Sequence, residues 1–116
     1  MEKKNVIKEK SFEFAKEIVY LYKVLAEKRE YVLSKQLLRS GTSIGANIRE
    51  AEHAQSKADF IHKLSISLKE ANETEYWLDL LFETRYLTIE EFQNVKNKNT
   101  EILKILTSII NTSKKQ

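Results

Sequence analysis

The 116-residue chain contains no cysteine, which excludes a disulfide framework and a thiolate metal site and leads us to expect a reducing, cytoplasmic setting. Proline is absent and glycine occurs only twice, so the residues that usually break helices or build β-turns are almost missing. No apolar run approaches the roughly 18 residues that a membrane span requires. The opening MEKKNVIKEK lacks the apolar core of a signal peptide. Charged residues make up 32% of the chain, too mixed in sign and too regularly interleaved with apolar positions for a disordered polyelectrolyte. What remains is a helical protein with one hydrophobic core, a single domain over residues 1–116.

Both glycines lie in one stretch, Gln36 to Ala54, QLLRSGTSIGANIREAEHA. Leu37, Gly41, Ile44, Ile48 and Ala51 recur there at steps of four, three, four and three, one face of a helix. Gly41 and Gly45, flanked by Ser40, Thr42, Ser43 and Ala46, remove the bulk that normally holds helix axes about 8–10 Å apart. The stretch therefore predicts a helix that crosses a neighbour at close range. The competing reading is a loop, since each glycine costs about 1 kcal/mol inside a helix. A phosphate-binding glycine loop is excluded by spacing, because neither GxGxxG nor GK[ST] occurs.

Around that stretch the apolar spacing predicts three more helices. The first is expected from Ser11, as N-cap, to about Lys28, with Phe14, Ile18, Leu21 and Leu25 beside a second row of Ala15, Val19, Tyr22 and Ala26. Residues 1–10 and 112–116 are expected to fray, with Val6 and Ile7 an alternative start for the first helix. The second helix runs from Tyr31 or Val32 to about Ala54. The third starts at Ser56, capped with Asp59, and carries Ile61, Leu64, Leu68, Ala71, Leu78 and Phe82, beside a row of Phe60, Ser67, Thr74 and Leu81, with Glu75 breaking the seam. Thr88 and Glu91 form a capping box for the fourth, whose seam of Phe92, Val95, Ile102, Leu106 and Ile109 is interrupted by Asn99. Short connections join these into an all-α, antiparallel up-down-up-down four-helix bundle.

Candidate chemistry is sparse. Glu50-x-x-His53 and Asp59-x-x-His62 have a spacing that di-iron bundles use, yet both motifs flank the tight connection between helices two and three, and no second pair of inward carboxylates accompanies them. No nucleophile sits in a GxSxG turn. No metal, no cofactor and no catalysis is expected. Charge is more informative. Between Tyr31 and Arg49 there is no Asp or Glu, while Lys35, Arg39 and Arg49 lie there, against an acidic group of Glu70, Glu73, Glu75, Asp79 and Glu83 in helix three. Lys35, Arg39 and Arg49, with the lysines of the N-terminal segment, are the candidate nucleic-acid-binding residues.

The segments SFEFAKEIVYLYK, EYVLSKQLLRSGTSIGANIREAEHAQSKADFIHKLSISLKEANETEYWLDLL and RYLTIEEF resemble the bacterial four-helix-bundle family first noted as proteins encoded in 23S rRNA intervening sequences. The most specific pieces are Q-x-x-R-x-x-x-S-I-x-x-N-I-x-E-A (Gln36, Arg39, Ser43, Ile44, Asn47, Ile48, Glu50, Ala51), F-I-x-K-L from Phe60 to Leu64, and K-E-A-x-E-T-x-Y-W-L from Lys69 to Leu78. The resemblance implies a left-handed bundle assembled into a homopentameric ring. Relatives that serve as accessory proteins of diversity-generating retroelements pair with a reverse transcriptase and contact nucleic acid through a basic surface. The expectation is thus a non-enzymatic helical assembly module that binds RNA or a nucleoprotein partner, with a purely protein-binding scaffold as the alternative. Gly41, Ser43, Gly45, Asn47 and Glu73 are the candidate helix-crossing and assembly residues, the polar three by satisfying buried hydrogen bonds between helices.

Overall fold

The structure, a computed structural model, describes residues 2–116, with side chains from Val6 onward. Four helices follow one another: α1 (Glu2–Glu27), α2 (Leu33–Ala51), α3 (Lys57–Glu83) and α4 (Ile89–Lys115). Each packs on its neighbour in sequence and α4 closes the ring against α1, while among the described residues no diagonal pair brings its backbones close. The bundle measures 47 × 21 × 19 Å, close to the length of a single helix of this size at 1.5 Å per residue. No strand occurs among the described residues.

The first helix begins well before Ser11, which is not its cap, and takes in Val6 and Ile7, the alternative start. Ile7, Ser11, Phe14, Ile18, Leu21 and Leu25 form one buried row at alternating steps of four and three, so the core stripe itself carries the helix upstream. Ser11 is 1% exposed and its hydroxyl donates back to the Lys8 carbonyl at 3.1 Å, a mid-helix arrangement. Met1 lies outside the described residues. At the other end, Ile109 and Ile110 are buried and α4 runs to Lys115. The second α1 row stays at the margin: Val19 is exposed and Ala15, Tyr22 and Ala26 are half-buried.

Gly41 and Gly45 lie inside α2, and neither has a positive φ. The close crossing is with α1. A Cβ added at Gly41 would stand 2.8 Å from Ile18 Cγ1 and 2.9 Å from Ile18 Cγ2. Ile18 is fully buried and β-branched, hence stiff. At Gly45 the added Cβ would meet Ser11 Oγ at 3.3 Å and the Ser11 carbonyl oxygen at 3.4 Å, a contact that a small shift relieves.

Helix ends explain the short connections. Arg29 and Arg85 adopt φ of 63° and 69°, the left-handed position that glycine usually fills after a helix. In each case the two following amide bonds close a Schellman turn: Arg29 N donates to Ala26 O at 2.9 Å and Glu30 N to Leu25 O at 3.0 Å, and Arg85 N donates to Phe82 O at 3.0 Å and Tyr86 N to Leu81 O at 2.9 Å. The start of α2 is capped from outside. Glu30, 7% exposed, accepts from the amides of Val32, Leu33 and Ser34 at 3.2, 3.0 and 2.6 Å, while Ser34 Oγ donates to the Glu30 carbonyl at 2.7 Å. This places a negative charge on the positive end of the helix dipole. At the far end α2 stops at Ala51, three residues earlier than expected, because Glu52, His53 and Ala54 switch to bonds three residues back. Ser56 caps α3 by accepting from Asp59 N at 3.0 Å; the Asp59 carboxylate reaches Gln55 N at 3.2 Å, one residue beyond the usual box. Thr88 and Glu91 form the complete box at α4.

In α3 the buried row is Leu64, Ser67, Ala71, Thr74, Leu78 and Leu81. Ile61, Leu68 and Phe82, expected in the seam, flank it, and Phe82 stacks on Phe92 of α4 with ring centroids 4.3 Å apart. Glu75 thereby leaves the seam and meets Lys96 at 3.6 Å. Asn99 stays in it, fully buried, donating from Nδ2 to the Ala71 carbonyl at 2.9 Å.

Two outcomes follow for stability. Gly41→Ala should destabilise the protein by about 1–2 kcal/mol, overpacking at Ile18 outweighing the roughly 1 kcal/mol gained in helix propensity, whereas Gly45→Ala should lie within about 0.5 kcal/mol of wild type. Urea melts of both variants check the contrast; equal losses would place the tight contact elsewhere. Glu30→Gln, which sets an amide against backbone donors, should cost about 1–3 kcal/mol, read as a lower denaturation midpoint with unchanged slope.

Candidate functional site

At 3.6 residues per turn Lys35, Arg39 and Arg49 fall within an arc of about 80° on the outer side of α2. Their side chains nevertheless part company. Arg39 Nη2 turns to α3 and donates to Glu73 Oε2 at 2.8 Å, with Gln36 Oε1 at 3.5 Å. Glu73 Oε2 also accepts from Trp77 Nε1 at 3.1 Å. Arg49 turns the other way and lies over the Phe12 ring of α1, 5.1 Å from its centroid, where Lys16 Nζ also sits at 5.5 Å. Lys35 is exposed near the start of α2.

The basic surface is therefore shared between α1 and α2 rather than confined to α2. Between the two helices lies a hollow of about 300 Å³ whose floor is Ser11, Ala15, Thr42, Gly45 and Ala46 and whose edges are Lys8, Phe12 and Arg49. Lys16, Val19, Tyr20 and Lys23 continue the same side of α1. Of these cations Lys8 pairs with Glu52 at 3.2 Å and Lys16 with Glu13 at 2.9 Å. Lys23 and Lys35 have no ion-pair partner among the described residues. The sequence reading missed Lys16 and Lys23; their position on the same outward side as Phe12 and Val19, at steps of three and four, was the available signal. The side chains of Lys3 and Lys4 lie outside those described.

The other face of α2 meets α3 along a polar strip. Gln36, Arg39, Ser43, Asn47 and Glu50 follow one another at steps of three or four, and Glu50 pairs with Lys63 at 2.9 Å. That hydrogen bond and charge hold the Lys63 ammonium above its ordinary value. Ser43 Oγ donates to the Arg39 carbonyl at 2.6 Å and Asn47 Nδ2 to the Ser43 carbonyl at 2.8 Å, so both bond within their own helix rather than between helices. Of the three polar candidates only Glu73 bridges two helices. The buried interhelical bonds are made instead by Ser67 Oγ to the Ile44 carbonyl at 2.8 Å and by Thr74 Oγ1 to Ser40 Oγ at 2.9 Å. Ser67 and Thr74 stand in the second row expected beside the α3 seam; spacing places them there, but residue type alone does not say that their hydroxyls cross to α2.

Across α3 and α4, Lys96 donates to Asp79 at 2.8 Å; that hydrogen bond, with the neighbouring Glu75 charge, raises the lysine above its ordinary value. His53 and His62 are exposed, and no group of three His, Asp or Glu side chains that could hold a metal occurs among the described residues. No helix among them is long and apolar enough to cross a membrane. Four aromatic side chains stand in the open: Phe12 at 48%, Tyr20 at 74%, Tyr31 at 53% and Tyr76 at 59% exposure.

No curated protein matches the chain. Among solved structures, a protein of unknown function from the S23 ribosomal protein family of Bacteroides thetaiotaomicron VPI-5482 is 65% identical over 94% of this chain and 98% of that one, with a TM-score of 0.93. The family model described as 23S rRNA-intervening sequence protein matches residues 3–108. With α2, α3, nearly all of α1, most of α4, the Gln36-to-Ala51 motif and the Lys69-to-Leu78 block inside that span, the chain belongs to the 23S rRNA-intervening sequence protein family.

Proposed function

We propose that the protein is a non-enzymatic, homopentameric assembly module that binds RNA through its α1/α2 face, by charge and shape rather than by reading bases. The reading rests on one observation: the outward side of α2 carries Lys35, Arg39 and Arg49 with no acid from Tyr31 to Arg49, and α1 sets Lys16 and Lys23 beside it. Phosphates need cations on one surface, not a high total. At +3 per chain a pentamer would present about +15, concentrated by symmetry into repeated patches. Self-association also gives the exposed Tyr20, Tyr31 and Tyr76 an apolar neighbour. A protein-binding scaffold that leaves nucleic acid untouched is the second reading, favoured by the commitment of Arg39 to Glu73. A reverse transcriptase-like nucleoprotein fits either reading as the partner, and a cytoplasmic setting suits both.

Light scattering should return about 68 kDa, five times the 13.6 kDa chain, and fluorescence anisotropy with a structured RNA should show affinity that falls steeply with salt. Lys23→Glu with Lys35→Glu should weaken binding and reduce the salt slope by about two, while Arg39→Ala should matter less than either lysine. Unaltered binding by the folded double variant would remove this face from the account, and no binding at low salt would leave the scaffold.

A further inference from the structure

The outward face of α1 and α2 carries more than charge. The hollow between the two helices, about 300 Å³, adjoins a second of about 370 Å³ along α1, and Phe12 and Ala15 line both. Lys8, Arg49, Lys16 and Lys23 stand around them, the three lysines spread over about 22 Å of α1. Among the described residues no carboxylate lines either hollow. Lys8 does pair with Glu52 and Lys16 with Glu13, but the Lys16 pair has side chains 58% and 65% exposed, and so open a pair yields readily to a phosphate. Arg49 and Lys23 have no carboxylate partner among the described residues.

Arg49 is held by a ring instead of an acid. Its guanidinium carbon lies 5.1 Å from the centroid of Phe12, and Lys16 Nζ lies 5.5 Å from the same ring. The guanidinium therefore keeps its full charge while its place is fixed. Phe12 is 48% exposed and lies outside the buried core. Beside this pair the floor of the hollow has little bulk, being made of Ala15, Gly45 and Ala46 with Ser11 and Thr42. Both hydroxyls already donate within their own helices, Ser11 Oγ to the Lys8 carbonyl and Thr42 Oγ1 to the Leu38 carbonyl at 2.7 Å. The floor thus offers shape rather than a pattern of free donors.

A continuous RNA duplex would engage the cations through its phosphates and leave the ring and the hollow unused. An unpaired nucleotide uses all three. We propose that the α1/α2 face selects RNA carrying an unpaired nucleotide, in a bulge or a single-stranded loop, whose base enters the hollow and stacks against the Phe12–Arg49 pair while Lys8, Lys16 and Lys23 hold the flanking phosphates. Aromatic rings and guanidinium planes are the two side-chain surfaces on which splayed RNA bases lie. Such stacking tolerates any sequence because every base has a π-face, which suits a site that does not read base edges. The proposal rests on the RNA reading above and narrows the ligand of that same face. It gives Phe12 to the RNA and leaves Tyr20, Tyr31 and Tyr76 to contacts between copies of the chain.

The test uses the full-length assembled protein and three labelled hairpins with one stem sequence: fully paired, with a single bulged adenosine, and with an abasic bulge that keeps the backbone but lacks the base. Affinities are read by anisotropy at one low salt concentration. The bulged hairpin should bind more tightly than the paired one by at least about fivefold, the scale of one stacked base, and the abasic hairpin should fall back to the paired level. Phe12→Ala, and Arg49→Lys, which keeps the charge but loses the guanidinium plane, should each bring the ratio of bulged to paired affinity close to one. The mass of the Phe12→Ala assembly by light scattering should match wild type. Equal affinity for all three hairpins would overturn the proposal and leave the RNA reading standing, whereas no binding of any hairpin would overturn both. An abasic bulge bound as tightly as the bulged adenosine would assign the preference to a bent backbone and overturn stacking. A lower mass for Phe12→Ala would overturn it too, by giving the ring to a contact between subunits.

Discussion

The architecture depends on the missing side chain at Gly41. Ile18 fills the space that a Cβ would need, so α1 and α2 approach at a distance set by one isoleucine and a helix backbone. That approach draws Ser11 against Gly45 and leaves the shallow hollow floored by Ala15, Thr42 and Ala46 on the outside of the pair. With α2 held close to both α1 and α3, the looser packing falls to the α1/α4 seam, which is bridged by Glu17 with Lys98 and by Lys10 with Glu101. The two outer surfaces of α1 thus differ in kind. One is basic and small-residued, the other closed by ion pairs to α4.

Polar groups inside the bundle are few and directed. Ser67 and Thr74 tie α3 to α2, and Asn99 ties α4 to α3, each through a hydrogen bond within the buried rows. Apolar side chains of similar size would pack as well but would tolerate a helix sliding by one turn; a polar group aimed at one acceptor does not. Register is the property these residues best explain. Surface pairs such as Arg39 with Glu73 are exposed enough that each contributes at most about 1 kcal/mol, so their role lies more in fixing which cations remain available to a ligand.

Much of the fold was legible because periodicity and caps are local signals. Thr88 with Glu91, Ser56 with Asp59 and the unbroken spacing through both glycines identified three helices and the crossing. The boundaries that escaped depend on backbone conformation or on distant partners. Arg29 and Arg85 occupy left-handed positions where glycine is the usual sign, and Glu30 caps α2 from outside the helix, in no familiar motif. The early start of α1 was open in the sequence as a start at Val6 or Ile7, and the structure settles it by placing Ile7 in the core row. For the candidate site, sequence located the acid-free run but not the directions of its side chains: Arg39 and Arg49, close on a helical wheel, are drawn to opposite neighbours by Glu73 and Phe12. Such divergence is a tertiary fact, set by what the adjoining helices present.

The direct test of the central claim is a double-mutant cycle between Gly41→Ala and Ile18→Ala, read by equilibrium unfolding in urea. If the missing Cβ exists to admit Ile18, the glycine substitution should destabilise the wild-type background and become favourable, by up to about 1 kcal/mol of helix propensity, once Ile18 has been truncated. The same cost in both backgrounds would mean that the two residues do not oppose each other, and that the crossing of α1 and α2 is set by something other than that contact.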